Sequence, residues 1–485
     1  MLDIDTDRRT FLVMGLALTC GASASATCGT PASARGSTPA RGDRIFTPEE
    51  FGAKGDGIAD DSMAMADLSD AVSRYGGGTV VFRRTTYLVG QQGLQISRKY
   101  MFPAHQLLLF KNCTRPLSLL GNGARLLCKT GLRYGVFDER GARADHPMPY
   151  LGDGLATPYQ AMIQIEGCSG SVAVSDFALI GPGDAVVLGG KFGDVGWQIP
   201  AYGLQLINNR GGETIERMRL IGHPLDGMGI DGAVDPLPNS TRTITDVVSD
   251  SNGRQGCSLV GGTGYRFSRC SFTRTGRGKV RSAPGAGFDI EAEGGKGIRD
   301  IGFDQCRFAD NLGCGMVADS GDSADVRFTG CTFVGTTSWS AWPSKPLFRF
   351  KDCNFVGGLV RAYGDPDATR ATQFVNCTFT DDPAGVTKGK TTNAGVSTAA
   401  NIDRPIADLS SSQNILFDRC RFRAVRGTLP WSTAAIYRNC TMVQGMQATG
   451  HPRGQFIGVN TIRGKVDLSG SKISGTLTVN GQRVT

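Results

Sequence analysis

The sequence predicts an all-β protein built as a single-stranded parallel β-helix, a solenoid in which each coil adds one rung to stacked sheets. The main observation is a pattern that recurs seven times in the second half of the chain: an aromatic residue, two variable residues, a cysteine, one more residue and an apolar residue. A second observation is that most of these copies are spaced by twenty-odd residues, a period typical of solenoids. The cysteines of the copies are Cys270, Cys306, Cys331, Cys353, Cys377, Cys420 and Cys440.

The repeated cysteines predict an internal ladder of free thiols. The cysteine and the following apolar residue are two positions apart, so both are expected on the inner face of a strand. A disulfide scaffold is disfavoured, because a chain of this length needs no covalent staples and the cysteines recur at one structural position. No cysteine or histidine cluster has zinc spacing, and the chain has four histidines, so no metal site is expected at the cysteines.

The first residues predict export through the twin-arginine route. Arg8 and Arg9 precede an apolar run over 12–18 and small residues up to Ala26, so residues 1–26 are expected to be a signal peptide. The apolar run is too short to cross a bilayer, and no stable membrane insertion is predicted. Residues 27–44, rich in Pro, Ala, Ser and Gly, are expected to be a disordered linker. The predicted location is the periplasm or the exterior.

Residues 45–485 are predicted to form one β-helix domain that begins with a capping helix. The apolar residues of 64–75 lie on one helical face, and Asp60 or Asp61 precedes them as a candidate N-cap. The glycines of 76–78 end the helix, and residues 79–82 have the pattern of a strand. Repeat proteins need such a cap over the open end of the stack.

This N-terminal segment resembles the signature of the pectate-lyase and polygalacturonase-like superfamily. The resemblance is carried by Phe-Gly-Ala-Lys-Gly-Asp-Gly over 51–57, by Asp60 and Asp61, and by Gly-Gly-Gly-Thr-Val-Val-Phe over 76–82. It implies a right-handed parallel β-helix, which agrees with the usual hand of parallel crossovers, and an extracellular protein that acts on polysaccharide. Hydrolases, lyases, epimerases and phage tailspikes share the signature. The catalytic motifs of polygalacturonases and uronan epimerases are missing, so no catalytic residue is carried over.

Loop insertions are expected near 130–161, 184–202, 274–286 and 381–412, where strand periodicity lapses. The third contains four positive charges between Arg274 and Arg281. The net charge of +8 favours an acidic partner without identifying one. Nucleic acid is not an expected partner, because no groove-reading helix, zinc finger or RNA-binding strand motif is present. The sequence does not define an oligomeric state.

Four aligned segments beginning at Gly227, Gly256, Gly287 and Gly315 predict a column of carboxylates. If these segments stack, Met228, Cys257, Phe288 and Met316 point inward, and alternate residues point outward. Adjacent rungs lie ~4.8 Å apart, so the outward acids converge on one patch. Stacked like charges are unfavourable unless they are used. The predicted catalytic residues are Asp231, Asp289, Glu291 and Asp319, and the predicted substrate-binding residues are Glu293, Arg254, Lys279, Arg281, Trp197, Tyr202 and His223.

Crowded carboxylates favour glycoside hydrolysis, in which one acid protonates the leaving oxygen and a second activates water or attacks. Hydrolysis requires no cofactor. Two alternatives remain open at this stage. The same oxygens could hold Ca²⁺ for β-elimination on a uronate-containing glycan, with an arginine or lysine as partner or base. A β-helix that binds glycan without cleaving it is the second alternative.

Overall fold

The computed structural model describes residues 44–93, 102–144, 147–148, 155–192, 199–335, 339–382, 404–445 and 447–484. The predicted signal peptide, nearly all of the linker and Trp197 lie outside these ranges. In the described part, no helix is both long and apolar enough to cross a membrane.

The chain forms a right-handed parallel β-helix, as predicted. Nearly all of its strands belong to two sheets. The sheet that matters for function is called the site sheet, and its backbone consists of eight parallel strands in spatial and chain order. These are β1 (Leu108–Lys111), β2 (Ala161–Glu166), β3 (Tyr202–Ile207), β4 (Asp226–Asp231), β5 (Gln255–Thr263), β6 (Ala286–Ile290), β7 (Met316–Ala318) and β8 (Ala341–Pro343).

The second sheet has 27 strands and closes the other sides of the solenoid. Its strands are Ile45–Phe46, Asp56–Asp60, Gly78–Val81, Thr86–Val89, Leu117–Cys128, Val172–Ile180, Glu213–Glu216, Arg219–Ile221, Arg242–Thr245, Val248–Asp250, Tyr265–Ser268, Ser271–Thr273, Ile301–Asp304, Arg307–Asn311, Val326–Thr329, Thr332–Gly335, Phe348–Lys351, Asn354–Val356, Gln373–Val375, Thr378–Thr380, Asp408–Asp418, Arg421–Ala424, Trp431–Arg438, Thr441–Gln444, Pro452–Arg463, Lys472–Val479 and Gln482–Val484. The last of these turns back and pairs antiparallel with Lys472–Val479.

The N-terminal helix α1 (Ser62–Tyr75) buries Met65, Leu68 and Val72 against the end of the stack. It ends at Gly76, which has a left-handed backbone with φ of 86°. The side chain of Asp61 does not cap the helix. It accepts the backbone N–H of Lys54 at 2.6 Å and of Gly55 at 3.2 Å, and so holds the preceding glycine-rich loop against the helix start.

The core of the second half of the solenoid contains stacked aromatic rings and buried thiols. Phe303, Phe328 and Phe350 stack with ring centroids 4.6 and 4.7 Å apart and planes within 5° of parallel. The seven repeated cysteines are buried and free, which confirms the predicted thiol ladder. Their position differs from the prediction, because each lies at a corner between two strands and not within one. Cys331, for example, donates its thiol to the carbonyl of Phe303 at 3.6 Å.

Residues from the two early insertions pair with each other outside the main stack. Strand Val187–Leu188 runs parallel to Arg133–Val136, and Arg133–Val136 pairs antiparallel with Leu155–Ala156. Strand Lys191–Phe192 pairs with Pro147–Met148. The remaining short strands, Gly297–Arg299 and Asp322–Ser323, extend the site sheet beyond β5.

A buried carboxylate cluster as the candidate active site

The register of the site sheet places one column of polar side chains on its outer face. Phe288 of β6 pairs with Cys257 of β5 and Met316 of β7, and these side chains are in the core. The next residues therefore point the other way, and Asp289 lies between Ser258 and Val317. This is the alignment that the sequence predicts. It breaks two residues later, where a bulge pairs Asp231 with Gly261 and not with Val260.

Asp289 is at the floor of this outer face. The prediction that its carboxylate is exposed was wrong, because the residue is 2% exposed. One oxygen, Oδ2, accepts a hydrogen bond from Gln255 Nε2 at 2.8 Å. Burial raises the pKa of Asp289 well above its ordinary value, and the negative charge of Glu291 raises it further. Asp289 is thus the carboxyl group of the cluster that is best suited to carry a proton near neutral pH.

Asp226, at the start of β4, is a second buried carboxylate, which the sequence analysis did not select. It is fully buried, and its Oδ2 accepts the Ser258 hydroxyl at 2.8 Å and faces Arg254 Nη1 at 3.4 Å. Burial raises the pKa of Asp226 from 3.8 to about 6, although the charge of Arg254 opposes the shift. Ser258 lies beside Asp289 on the adjacent rung, so the two carboxylates share one floor. We name Asp226, Arg254, Gln255, Ser258 and Asp289 the carboxylate floor.

Arg254 supplies the positive charge of the carboxylate floor, as its predicted role near the acids requires. Its side chain is 13% exposed. Burial alone would lower the pKa of the guanidinium, but the negative charges around it, that of Asp226 foremost, raise the pKa above the ordinary value. Arg254 therefore stays charged and cannot act as a base.

Four polar atoms of the carboxylate floor are buried without a hydrogen-bond partner among the described residues: Asp226 Oδ1, Arg254 Nε, Gln255 Oε1 and Asp289 Oδ1. Leaving a buried polar atom unpaired typically costs 1–3 kcal/mol or so, more if it is charged. Native structures contain few such atoms, and a concentration of them on one surface needs an explanation. Ordered water or a ligand that supplies donors and acceptors to this floor would satisfy them.

The rim of the floor consists of half-buried side chains. Glu291 accepts the hydroxyl of Ser320 at 2.6 Å. Burial raises the pKa of Glu293, and the charge of Glu291 adds to the shift. Asp231 forms an ion pair with Lys296, and Asp319 is close enough for its charge to raise the pKa of Asp289. The structure thus brings together all four predicted catalytic acids, with Glu293 beside them.

Tyr202, which precedes the others on β3, covers the opposite flank of the floor. Its ring lies against Gly229, where an added Cβ would be 2.8 Å from Cε1 of the tyrosine. Burial raises the pKa of Tyr202, and the charge of Asp226 raises it further. Glycine at position 229 is therefore what lets the aromatic ring lie close to the sheet.

His223 does not join the site. It is 1% exposed, and both ring nitrogens are used inside the protein: Nδ1 faces the Tyr159 hydroxyl at 2.7 Å, and Nε2 faces the Leu179 carbonyl at 3.1 Å. Burial lowers its pKa to about 3. The expectation that His223 contacts substrate is corrected to a structural role.

Residues 274–281, the segment with four positive charges, form a loop beside the carboxylate floor. The charges of this loop are spread out. Ser282 donates its N–H to the carbonyl of Gly253 at 3.2 Å, so the loop runs next to the segment that carries Arg254. Arg274 forms an ion pair with Asp250, and the side chains of Lys279 and Arg281 are exposed. Within the described ranges, no group of three or more His, Cys, Asp or Glu residues is arranged to hold a metal ion.

Comparison with known proteins finds no matching family model. A segment of 46 residues is 54% identical to a capsule KN3-specific depolymerase of Klebsiella phage KN3-1. The segment makes up 9% of this chain and 6% of that protein. The chain therefore matches far less than two thirds of this relative.

Two solved structures are similar over most of this chain. The A-module of a mannuronan C-5 epimerase from Azotobacter vinelandii is 15% identical, with 89% of this chain and 99% of that chain covered and a TM-score of 0.45. A tailspike protein of Acinetobacter baumannii bacteriophage Fri1, a capsular polysaccharide depolymerase, is 11% identical, with 82% and 63% covered and a TM-score of 0.40. At these values the similarity extends to the type of fold and no further.

Proposed function

We propose that this protein is an exported enzyme that degrades polysaccharide by hydrolysing glycosidic bonds at the carboxylate floor. The observation that carries the proposal is a cluster of acids in which environment separates the roles: Asp289 is buried and favours its protonated form, whereas Glu291 is half-exposed beside it. Glycoside hydrolysis needs one protonated and one ionised carboxyl group flanking the scissile bond.

In this proposal Asp289 donates a proton to the leaving glycosidic oxygen. Its Oδ1 has no hydrogen-bond partner in the described structure, so this oxygen is the one free to carry the proton. Glu291, held by the Ser320 hydroxyl, acts on water or on the sugar itself. Arg254 and Asp226 set the charge of the floor, and Arg254 stabilises the carboxylate that Asp289 becomes after it gives up its proton.

Two further observations support a polysaccharide substrate. The twin-arginine signal that the sequence predicts would direct the protein to the periplasm or the exterior, and such polymers are found there. The segment shared with the phage capsule depolymerase agrees with a capsular or similar extracellular glycan. Hydrolysis is favoured over β-elimination because the two cationic side chains described at the carboxylates are both engaged: Arg254 stays charged, and Lys296 is paired with Asp231.

The test is a reducing-end assay over a panel of capsular and plant polysaccharides, run with Asp289→Asn and Glu291→Gln. Each variant should lose about 10²–10⁴-fold in turnover, the usual contribution of a general acid or base. The matched controls are Asp322→Asn and Glu216→Gln, whose carboxylates pair with Arg299 and Arg217 at 2.6 Å on the surface. Near-normal turnover in both site variants would refute the assignment.

The same panel separates the alternatives. Absorbance from unsaturated uronate products, abolished by a chelator, would indicate a calcium-dependent lyase. Retention of a glycan without release of reducing ends would indicate a binding protein.

A further inference from the structure

An aromatic cluster lies outside the core, next to the carboxylate floor. Trp339 and Trp342 pack with Ala286, Cys314 and Val317, and their ring centroids are 6.2 Å apart at 68°. We name the two indoles the tryptophan pair. Trp342 of β8 pairs with Val317 of β7, which pairs with Asp289 of β6, so all three share the outer column of the site sheet. Two rungs separate Trp342 from Asp289, a distance of ~10 Å along the solenoid axis.

Arg361 lies over Trp342 of this pair. Its guanidinium carbon is 5.9 Å from the ring centroid of Trp342, and the residue is exposed. Some exposed arginines of this solenoid hold a carboxylate, such as Arg217, which binds Asp176 at 2.7 Å. Others, such as Arg438, form no ion pair with a described carboxylate. None of the carboxylates that the structure describes forms an ion pair with Arg361. Trp342 Nε1, in turn, is buried without a partner among the described residues.

These features have the chemistry of a saccharide subsite with a preference for negative charge. Indole rings offer flat apolar surfaces with a polar edge, on which a sugar ring can stack. A guanidinium presents its donors in a planar fork that matches a carboxylate. Packing alone would account for the position of the two indoles, but it does not account for the buried Trp342 Nε1, which has no partner among the described residues.

We propose that Trp339, Trp342 and Arg361 form a subsite that binds an acidic sugar residue, with the sugar ring on the indoles and its carboxylate on Arg361. The subsite lies on the column that leads to Asp289, so one glycan strand running along the site sheet reaches both places. This inference rests on the proposed function for its substrate, and it narrows that substrate to polysaccharides that contain uronic acid or another carboxylated sugar.

The test measures binding without turnover, in the Asp289→Asn background, by isothermal titration calorimetry. The probes are oligosaccharides of galacturonate, mannuronate and hyaluronan, each compared with its carboxyl-reduced form. At least one acidic probe should bind, and carboxyl reduction should weaken that binding by about 10–100-fold, the usual effect of a hydrogen bond to a charged group. Arg361→Met should weaken binding of the acidic probe by a similar factor and leave binding of its carboxyl-reduced form unaffected.

Matched variants keep the test specific. Arg299→Met removes an exposed arginine that pairs with Asp322, and Trp431→Ala removes an indole that is 52% exposed elsewhere. Both control variants should leave binding unchanged, whereas Trp342→Ala should weaken the binding of acidic and carboxyl-reduced probes alike. Equal binding of an acidic probe to Arg361→Met and to its parent would overturn the subsite, as would failure of every acidic probe to bind. Neither result depends on turnover, so the hydrolase assignment is judged separately by the reducing-end assay.

Discussion

Replacing Asp226 with asparagine should stabilise the protein at neutral and alkaline pH. The substitution keeps an oxygen that accepts the Ser258 hydroxyl, and it imitates the protonated carboxyl group. Burial raises the pKa of Asp226 from 3.8 to about 6, which corresponds to about 3 kcal/mol between the two protonation states. The folded protein therefore prefers the neutral form by that amount, even with Arg254 beside it.

The sign of the pH dependence follows from linkage. Because the folded state binds its proton more tightly, the stabilisation from the protonated carboxyl is fully present below pH 3.8 and is lost as the pH rises through about 6. Asp226→Asn does not titrate. The variant and the parent should thus be equally stable at low pH, and above pH 6 the variant should be more stable by up to about 3 kcal/mol.

Thermal unfolding at one scan rate, repeated across the pH range, measures this difference. A gain of this size should raise the melting temperature by a few degrees in a chain of this length. Taking the difference between variant and parent removes the opposite contribution of His223, whose lowered pKa destabilises both proteins as they are acidified. Asp235→Asn, which removes a carboxylate that is 65% exposed, is the control and should show no such profile. A variant that melts below the parent at alkaline pH would show that the pair with Arg254 outweighs the burial of Asp226.

Three further outcomes are expected. A thiol reagent should react slowly with the folded protein and completely after denaturation, because the twelve cysteines in the described ranges are buried and free; several disulfides in the native protein would contradict this. His223→Gln should lower the melting temperature by disturbing the Tyr159 contact, yet leave the pH profile of turnover near neutrality unaltered, since the pKa of His223 is about 3; a shifted profile would place the histidine in the chemistry. Asp381→Ala should destabilise the protein by about 2 kcal/mol or more, because this buried carboxylate accepts three backbone N–H groups of residues 425–427. Asp381→Asn, which keeps one acceptor, should cost less.

The fold was predictable because each coil of the structure corresponds to a repeat that is visible in the sequence. Inward residues such as Phe288 and Met316 must be apolar, and a shift of one residue would turn the whole row outward. The apolar positions alone therefore showed which residues of the site sheet point inward and which point outward. The same reasoning failed one residue past the aligned part, because the bulge at Gly261 depends on backbone conformation and leaves no periodic signal.

The sequence predicted most of the residues of the candidate site, but not how deeply they are buried. The alignment brought Asp289 and Glu291 to one face, yet it could not show what covers that face. Burial of Asp289 depends on side chains from neighbouring coils, such as Gln255, which donates a hydrogen bond to it, and Ser258 on the adjacent rung. Asp226 was missed because the aligned segments began one residue after it, at Gly227. Its pairing with Gln255 in the next coil is the signal that could have found it.

The hairpin of Lys472–Val479 and Gln482–Val484 changes the strand direction at the C-terminal edge of the described stack. Every coil offers its upper edge as a template for the next parallel strand, and a second molecule could in principle continue that growth. Here Asn480 and Gly481, with φ of 53° and 83°, turn the chain back on itself, so that Leu477 faces Val484 in the reverse direction. A strand of opposite polarity cannot seed another parallel coil. The hairpin thus covers part of the edge of Lys472–Val479 with an antiparallel strand, and helix α1 covers the opposite end of the described stack.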